Sequence, residues 1–252
     1  MPERPGPLSL DEAIAKFVSR PESLVGVDFD GTIAPLVEHP DLAIPEARAV
    51  EALRAIARQP GRLLAVVSGR GYEDLGSRLG DIEGAIFVGE HGNDVGEELE
   101  AGSLVLEMAT LVDDLARDLP GAFTEKKTRS VTFHYRNVEE GSAEPALAEI
   151  RTWVQDHPEV AVIEGKKVVE LTTATRTKGD AILALAEGKP ILYIGDDTTD
   201  ETVFSVLGPG DVGIKVGEGD TTAEHRVEDV AGVVTILEKI ALASGLNGAD
   251  VV

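Results

Sequence analysis

Two aspartates separated by one residue follow an apolar run near the N-terminus. In the segment VGVDFDGT, Asp28 and Asp30 stand at the end of a predicted strand, just before Gly31 allows a sharp turn. Residues i and i+2 share one face of a strand, so the two carboxylates converge while Phe29 points away. Close carboxylates repel, and a hard divalent cation would keep one of them ionised. Asp28 could then attack phosphorus with Asp30 as general acid and base, although a solvated turn or a helix cap would also give this tripeptide.

Three further segments carry residues suited to phosphate chemistry. Ser68 ends the run AVVSGR, where its hydroxyl could hold a phosphoryl oxygen or simply cap a helix. Lys178 opens a predicted helix, an unfavourable place for a cation unless it faces an anion, although a solvated lysine is the alternative. The segment LYIGDDTTDE brings Asp196, Asp197 and Asp200 to one strand end. Like charges at such spacing cost free energy without a cation.

The elements that must position these residues follow a βαβ rhythm. Apolar runs read as strands and alternate with helix-like segments: LVGVDFD, RLLAVVSGR, AIFVGEHG, PILYIGDD and VGIKVG. Continuous apolar strands bounded by helices indicate a parallel sheet covered on both faces. Ligands in such α/β folds bind at the carboxyl ends of the strands, which is where the acidic residues stand.

The middle of the chain has a different pattern. The helix-like SLVLEMATLVDDLARDLP is followed by the alternating SVTFHYR, by ALAEIRTWVQDH and by AVIEGKKVVELT, in which Gly165 marks a hairpin. Two helices and about four strands with period-two alternation predict a small α+β domain inserted into the larger one. We therefore expect a core domain formed by 1–103 and 175–252, and a cap domain formed by 104–174.

Composition excludes several classes of function. The chain has 46 acidic and 23 basic residues among 252, which opposes binding to nucleic acid or to anionic membranes. It has no cysteine, so a disulfide framework, a thiolate metal site and a cysteine nucleophile are excluded. The N-terminal MPERPGPLSLDEA carries proline and charge where a signal peptide would be apolar, and no long apolar run follows. We expect a cytoplasmic protein.

In this order, the motifs resemble those of the trehalose-6-phosphate phosphatases, within the haloacid dehalogenase-like phosphatase superfamily. The resemblance spans the chain through DFDGTIAPLVEHPDLA, VVSGR, GEHG, TFHYR, KVVEL before TKGDA, and GDDTTDE. It implies a Rossmann-like parallel-sheet core with helices on both faces and an inserted α+β cap. It also implies Mg²⁺-dependent hydrolysis of trehalose 6-phosphate through an aspartyl-phosphate, as a step of trehalose biosynthesis. A trehalose-phosphate synthase would then be a separate partner.

The resemblance also assigns roles to residues of the core. Asp28 becomes the nucleophile and a metal ligand, and Asp30 becomes the acid and base with its backbone carbonyl on the metal. Asp196 becomes the third protein ligand, while Asp197 and Asp200 orient metal-bound waters. An all-oxygen site of this kind suits Mg²⁺ better than Zn²⁺. The residues expected at the phosphoryl oxygens are Ser68, Lys178 and Thr32.

Substrate specificity is expected to come from the cap, because the core motifs contact only phosphate. A disaccharide offers many hydroxyls and little charge, so hydrogen-bonding side chains should recognise it. The candidate substrate contacts are Arg70, Glu90, His91, Glu125, Lys127, His134, Arg136, Lys166 and Glu170. A solvated polar sheet face is the alternative for the cap residues, and a structural histidine is the alternative for His91. The linker LTTATRTKG departs from the family pattern, which more often has Arg-Pro before Lys-Gly.

Two other functions are compatible with these motifs. A phosphatase of the same fold could act on a sucrose, mannosylglycerate or glucosylglycerate phosphate, although TFHYR and GEHG favour trehalose. A non-catalytic binding protein of this fold would need a damaged aspartate pair or acidic motif, and both are intact. A dinucleotide-binding protein is disfavoured because no G-x-G-x-x-G follows the first strand.

Overall fold

A computed structural model describes residues 8–95, 102–127, 129–173 and 176–243 of the chain. Residue 174, the expected end of the cap, lies outside the described residues. The same is true of the C-terminal segment 245–252, which its composition predicts to be disordered. None of the helices in the described ranges has the length and apolar character needed to cross a membrane.

The described helices and strands alternate as the sequence predicts. In chain order they are α1 (Leu10–Val18), β1 (Ser23–Val27), α2 (Ala47–Ala57), β2 (Arg62–Val67), α3 (Tyr72–Leu79), β3 (Ala85–Val88), α4 (Ser103–Arg117), β4 (Phe123–Lys126), β5 (Ser130–His134), α5 (Glu144–Gln155), β6 (Ala161–Gly165), β7 (Val168–Thr172), α6 (Lys178–Ala186), β8 (Ile191–Gly195), α7 (Glu201–Phe204), β9 (Val212–Val216), β10 (His225–Val227) and α8 (Val230–Ala243). Short 3₁₀ turns stand at Pro40–Leu42 and Glu90–Gly92.

Six of these strands form one parallel sheet in the order β10-β9-β8-β1-β2-β3. Successive residues of each strand face opposite sides, and both sides are buried. Val25 and Val27 belong to the apolar cluster that includes α1, α2 and α8, whereas Leu24 and Tyr193 belong to the cluster that includes α6 and α7. Helices on both faces confirm the predicted α/β class.

A glycine in the central strand makes room for one of these side chains. A Cβ atom on Gly26 would lie 2.7 Å from Cδ2 of Tyr193 and 2.8 Å from Cδ1 of Ile182. Glycine at this position therefore leaves space for the Tyr193 ring against β1, with the Tyr193 hydroxyl reaching Asp200 at the carboxyl end of the sheet.

The middle of the chain forms a separate antiparallel sheet in the order β4-β5-β7-β6, as expected for the cap. One face packs on α4 and α5 through an apolar cluster that includes Val131, Phe133 and Leu171. The alternate positions, among them Thr132 and Glu170, point the other way and line a cavity between this sheet and the core. The period-two alternation of the sequence thus gives the cap sheet one apolar face and one polar face.

Candidate active site

The carboxyl ends of three neighbouring strands meet at one edge of the core sheet. Asp28 directly follows β1, Ser68 follows β2 and Asp196 follows β8, while Lys178 is the first residue of α6. All four side chains are buried, and they line a common cavity of about 150 Å³. The structure therefore brings the core residues that the sequence singles out into one place.

Lys178 stands at the centre of this cluster. Its Nζ atom donates hydrogen bonds of 2.8 Å to Oδ1 of Asp28 and 2.8 Å to Oδ1 of Asp200. Only 2% of Lys178 is exposed, so water competes little for the ammonium group. A cation at the start of a helix needs a nearby anion, and Asp28 and Asp200 supply it here. The helix begins there because Thr177 caps it through a reciprocal pair of hydrogen bonds with Asp180.

Asp200 serves as the fixed partner in this cluster. Its Oδ1 also accepts a 2.7 Å hydrogen bond from the Tyr193 hydroxyl, and its Oδ2 accepts a 2.9 Å hydrogen bond from the backbone N–H of Asp197. Asp28 is less constrained, since its Oδ2 has a 3.5 Å contact from the Thr32 hydroxyl. The carboxylate of Asp28 is therefore the one available to a ligand.

Burial and like charge perturb these carboxyl groups. Burial raises the pKa of Asp28 well above its usual value; Asp200 and Asp196 add to the rise, and Lys178 opposes it. Burial, with Asp200 and Asp197, raises the pKa of Asp196 to about 7. Burial alone would lower the pKa of Lys178, but Asp200 and Asp28 outweigh it and raise this pKa, so the ammonium stays charged. Perturbed groups converging in a cavity are typical of a catalytic site.

The donor atoms of this cluster fit a hard divalent cation. Asp28, Asp196 and Asp200 each offer a carboxylate oxygen, and these oxygens lie within 4.8 Å of one another. An all-oxygen donor set in a polar cavity suits Mg²⁺ or Ca²⁺. Both oxygens of Asp200 already accept hydrogen bonds from the protein. Asp28 and Asp196 are therefore the better direct ligands, with Asp200 fixing their surroundings.

The carboxylate of Asp30 is held by Arg70. Arg70 donates from Nε to Oδ2 of Asp30 at 2.6 Å and from Nη2 to Oδ1 at 2.7 Å. The guanidinium is itself fixed by Asp74 at 2.6 Å and by the Pro40 carbonyl at 2.9 Å. Arg70, which was expected to contact substrate, lines the outer cavity but uses its donors to orient Asp30.

A second cavity of about 190 Å³ adjoins the first and lies between the core and the polar face of the cap sheet. An ion pair and two histidine–carboxylate hydrogen bonds line its wall: Lys127 with Glu170 at 3.4 Å, Glu125 with His134 at 2.8 Å, and His91 with Glu170 at 3.0 Å. Burial alone would raise the pKa of Glu170, but Lys127 and His91 outweigh it and hold this pKa well below its usual value. The wall therefore presents hydrogen-bond donors and acceptors that are held in fixed positions.

The cap contacts the core next to these cavities. Arg136 donates to the Val37 carbonyl at 2.6 Å, and Nζ of Lys166 lies 3.9 Å from Oδ2 of Asp196. The rings of His39 and Phe123 stack with centroids 4.5 Å apart, and Phe123 stacks on His134 at 4.3 Å. The cap sheet thus lies directly over the aspartate cluster.

The structure places the expected residues in three groups. The inner cavity is lined by Asp28, Asp30, Ser68, His91, Arg136, Lys166, Lys178, Asp196 and Asp197. The outer cavity adds Arg70, Glu125, Lys127, His134 and Glu170. Three expected residues line neither cavity: Thr32, Glu90 and Asp200. Thr32 is fully buried behind Asp28, and Glu90 accepts a 3.0 Å hydrogen bond from the backbone N–H of Arg129.

Several residues of the site were not anticipated from the sequence. Tyr193 reads as one more apolar strand residue, and its hydroxyl contact depends on the fold. Lys215 lies at the end of β9, where its buried ammonium donates to the backbone carbonyls of Asp196 and Val216. A lysine inside the apolar run VGIKVG was the available signal for it. Asp74, in the first turn of α3, fixes the guanidinium of Arg70, which lies just before that helix.

Comparisons with known proteins agree with this geometry. A family model described as Trehalose-phosphatase matches residues 26–231. A bifunctional trehalose-6-phosphate synthase/phosphatase of Thermoproteus tenax is 34% identical over 92% of this chain, which spans 34% of that protein. A trehalose-phosphate phosphatase of Mycobacterium ulcerans is 31% identical over 88% of this chain, which spans 62% of that protein.

A solved structure shares the fold. It is that of the C-terminal domain of C. albicans trehalose-6-phosphate phosphatase, which matches with a TM-score of 0.81 and 22% identity over 93% of this chain and 97% of that chain.

Proposed function

Because the chain belongs to the trehalose-phosphatase family, we propose that it hydrolyses trehalose 6-phosphate to trehalose and phosphate through an aspartyl-phosphate on Asp28. The observation that carries this proposal is the contact of Lys178 with both Asp28 and Asp200 beneath a cavity covered by the polar cap face. It gives a buried, oriented carboxylate with one accessible oxygen, which is what a phosphoryl acceptor needs. Trehalose biosynthesis, with a trehalose-phosphate synthase as a separate partner, is the setting that we propose.

In the first step, Oδ2 of Asp28 attacks phosphorus, and the bond from phosphorus to the sugar oxygen breaks. Asp30 donates a proton to the departing oxygen, so trehalose leaves as a neutral alcohol. Lys178 holds the other oxygen of Asp28 and supplies positive charge next to the phosphoryl group. Ser68 lines the same cavity, and in this proposal its hydroxyl contacts a phosphoryl oxygen.

In the second step, Asp30 takes a proton from water, and that water attacks the phosphorus of the acyl phosphate. The bond from phosphorus to Asp28 breaks, which releases phosphate and restores the carboxylate. Arg70 pairs with both oxygens of Asp30 in its ionised form, the form that takes a proton from water, and one of these contacts opens when Asp30 carries the proton. Arg70 therefore positions the acid and base instead of binding the ester.

Magnesium is the cofactor that the donor set fits best. Asp28, Asp196 and the backbone carbonyl of Asp30 would hold it, with Asp197 and Asp200 orienting its waters. When bound, Mg²⁺ would offset the charge of the carboxylates and of the phosphoryl oxygens.

The cap, for which we propose the bounds 104–174, would select the sugar. Glu125, Lys127, His134 and Glu170 line the outer cavity with fixed donors and acceptors, while the inner cavity takes the phosphate. Arg136 and Lys166 line the inner cavity from the cap side, and in this proposal their positive charge lies close to the ester. We propose a cytoplasmic location, in keeping with a cysteine-free chain.

A substrate panel tests this function. Phosphate release is measured from trehalose 6-phosphate, sucrose 6-phosphate, glucose 6-phosphate, mannosylglycerate phosphate and glucosylglycerate phosphate, each with Mg²⁺ and with a chelator. We expect a clear preference for trehalose 6-phosphate that disappears with the chelator. Preference for another ester would replace the substrate but keep the mechanism, whereas no release from any ester would leave a non-catalytic binding protein.

A further inference from the structure

His91 stands between the groups proposed for the sugar and the groups proposed for the phosphate. Its Nε2 lies 3.0 Å from Oε2 of Glu170 in the cap, and its backbone N–H donates to the Ser68 carbonyl at 2.9 Å. His91 thus contacts the Glu170 carboxylate with its side chain, and with its backbone it contacts the segment Ser68–Arg70, the phosphate loop.

The imidazole has no other hydrogen bond in the described structure. Nδ1 of His91 is buried and has no partner among the described residues. Glu170 is paired with Lys127, and as a carboxylate it can only accept, so Nε2 of His91 donates to it. The orientation of the ring is therefore set by Glu170 and by packing alone.

That packing is against the phosphate loop itself. A Cβ atom on Gly69 would lie 2.5 Å from Cε1 and 2.7 Å from Nε2 of His91, so the ring lies directly on the backbone between Ser68 and Arg70. A shift of the ring would consequently be felt at Ser68 and at the arginine that fixes Asp30. Interiors packed this closely transmit such shifts.

The backbone at this position is strained, which shows that the contacts hold it there. Glu90 and His91 have φ of 44° and 56°, in the left-handed region that costs non-glycine residues free energy. The same turn contacts the cap, because Glu90 accepts a hydrogen bond from the backbone N–H of Arg129. It also contacts the linker, because the side chain of Asn93 pairs with the backbone of Arg176 at 2.7 Å and 3.0 Å. Its conformation therefore depends on the cap being in place over the core.

We infer that His91 is a positioning residue that couples sugar recognition to phosphoryl transfer, because it joins Glu170 on the sugar side to the backbone of Ser68 and Gly69 on the phosphate side. This inference rests on the proposed function, because it requires a sugar ester that engages Glu170. Binding energy from the sugar is then used to raise the rate of the chemical step and not only to tighten binding.

Two substitutions separate this role from a merely structural one. His91→Gln keeps an amide nitrogen near the position of Nε2 and can still donate to Glu170. His91→Asn is too short to reach Glu170, yet asparagine tolerates the left-handed backbone conformation better than most residues. His225→Asn, on β10 at the far edge of the core sheet, is the matched control.

The values of kcat and KM are measured for trehalose 6-phosphate and for phenyl phosphate, which has no sugar. We expect His91→Asn to lower kcat for trehalose 6-phosphate about ten times more than it lowers kcat for phenyl phosphate. Loss of one charge-assisted hydrogen bond predicts a difference of this size. We expect His91→Gln to restore most of kcat, and His225→Asn to behave as the wild type. Equal losses on both esters, a change in KM alone, or failure of His91→Gln to rescue would overturn the inference.

Failure of the proposed function would be seen separately, in the wild type. If the wild-type protein prefers another sugar phosphate, the same comparison is made with that ester, and the expected tenfold loss stands. If the wild type hydrolyses phenyl phosphate as well as any sugar ester, there is no dependence on sugar to transmit, and the inference is refuted.

Discussion

Replacing Lys178 with methionine removes the only cation in direct contact with Asp28 among the described residues. Methionine keeps the volume of the aliphatic part of the side chain but leaves Asp28 and Asp200 as buried carboxylates without their ammonium partner. The two lost contacts are 2.8 Å hydrogen bonds at a site where 2% of Lys178 is exposed. Removing one partner of such a buried pair costs about 3–5 kcal/mol of unfolding free energy.

Equilibrium unfolding in urea at neutral pH, without divalent metal, measures this loss. Lys239→Met removes an exposed ion pair with Asp11 and serves as the control, with an expected loss below about 1 kcal/mol. The double variant Lys178→Met/Asp200→Asn should recover part of the stability, because it removes one of the two uncompensated charges, while phosphate release stays abolished.

Two results would refute this reasoning. The first is a Lys178→Met protein as stable as the wild type. The second is that Asp200→Asn lowers the unfolding free energy of the Lys178→Met protein by as much as it lowers that of the wild type. Equal losses would mean that Lys178 and Asp200 are energetically independent.

Three other predictions concern the same cluster. Burial raises the pKa of Asp196 from 3.8 to about 7. In the metal-free protein, the stability that the protonated Asp196 contributes is therefore complete below pH 3.8. It is lost, by about 4 kcal/mol, as the pH rises through about 7. Mg²⁺ should therefore raise the melting temperature more at pH 8 than at pH 5, and equal shifts would contradict this. Tyr193→Phe removes one hydrogen bond to Asp200 and should lower the unfolding free energy by about 1 kcal/mol in urea titration, whereas no change would mean that the contact contributes nothing. Arg70→Lys cannot hold both oxygens of Asp30, so single-turnover hydrolysis should slow about tenfold; an unchanged rate would exclude the positioning role.

The sequence allows the position of the aspartate cluster to be predicted because two simple periodicities fix it. Residues i and i+2 share a strand face, and parallel strands end at the same edge of a sheet, so Asp28, Ser68 and Asp196 had to approach one another. The unfavourable position of Lys178 at a helix start correctly indicated a nearby anion. The two-sheet architecture followed from the change between continuous apolar strands and alternating ones.

The pairing within the site could not be predicted in the same way. Arg70 and Asp30 are 40 residues apart in sequence, and the choice between binding Asp30 and binding substrate depends on how Asp74 and Pro40 hold the guanidinium. The positive φ of His91 could not be predicted from its residue type alone, because few histidines adopt it and contacts with Ser68 and the cap impose it here. Such features depend on tertiary packing, which local pattern does not encode.

Trapping the covalent intermediate tests the central claim most directly. The wild-type protein is mixed with Mg²⁺ and trehalose 6-phosphate carrying a radiolabelled phosphoryl group, quenched in acid during turnover, and digested for peptide mapping. We predict label on the peptide that contains Asp28, and none on the protein when the Asp28→Asn variant is treated in the same way. Rapid phosphate release with no labelled peptide, or label on a different residue, would contradict the account.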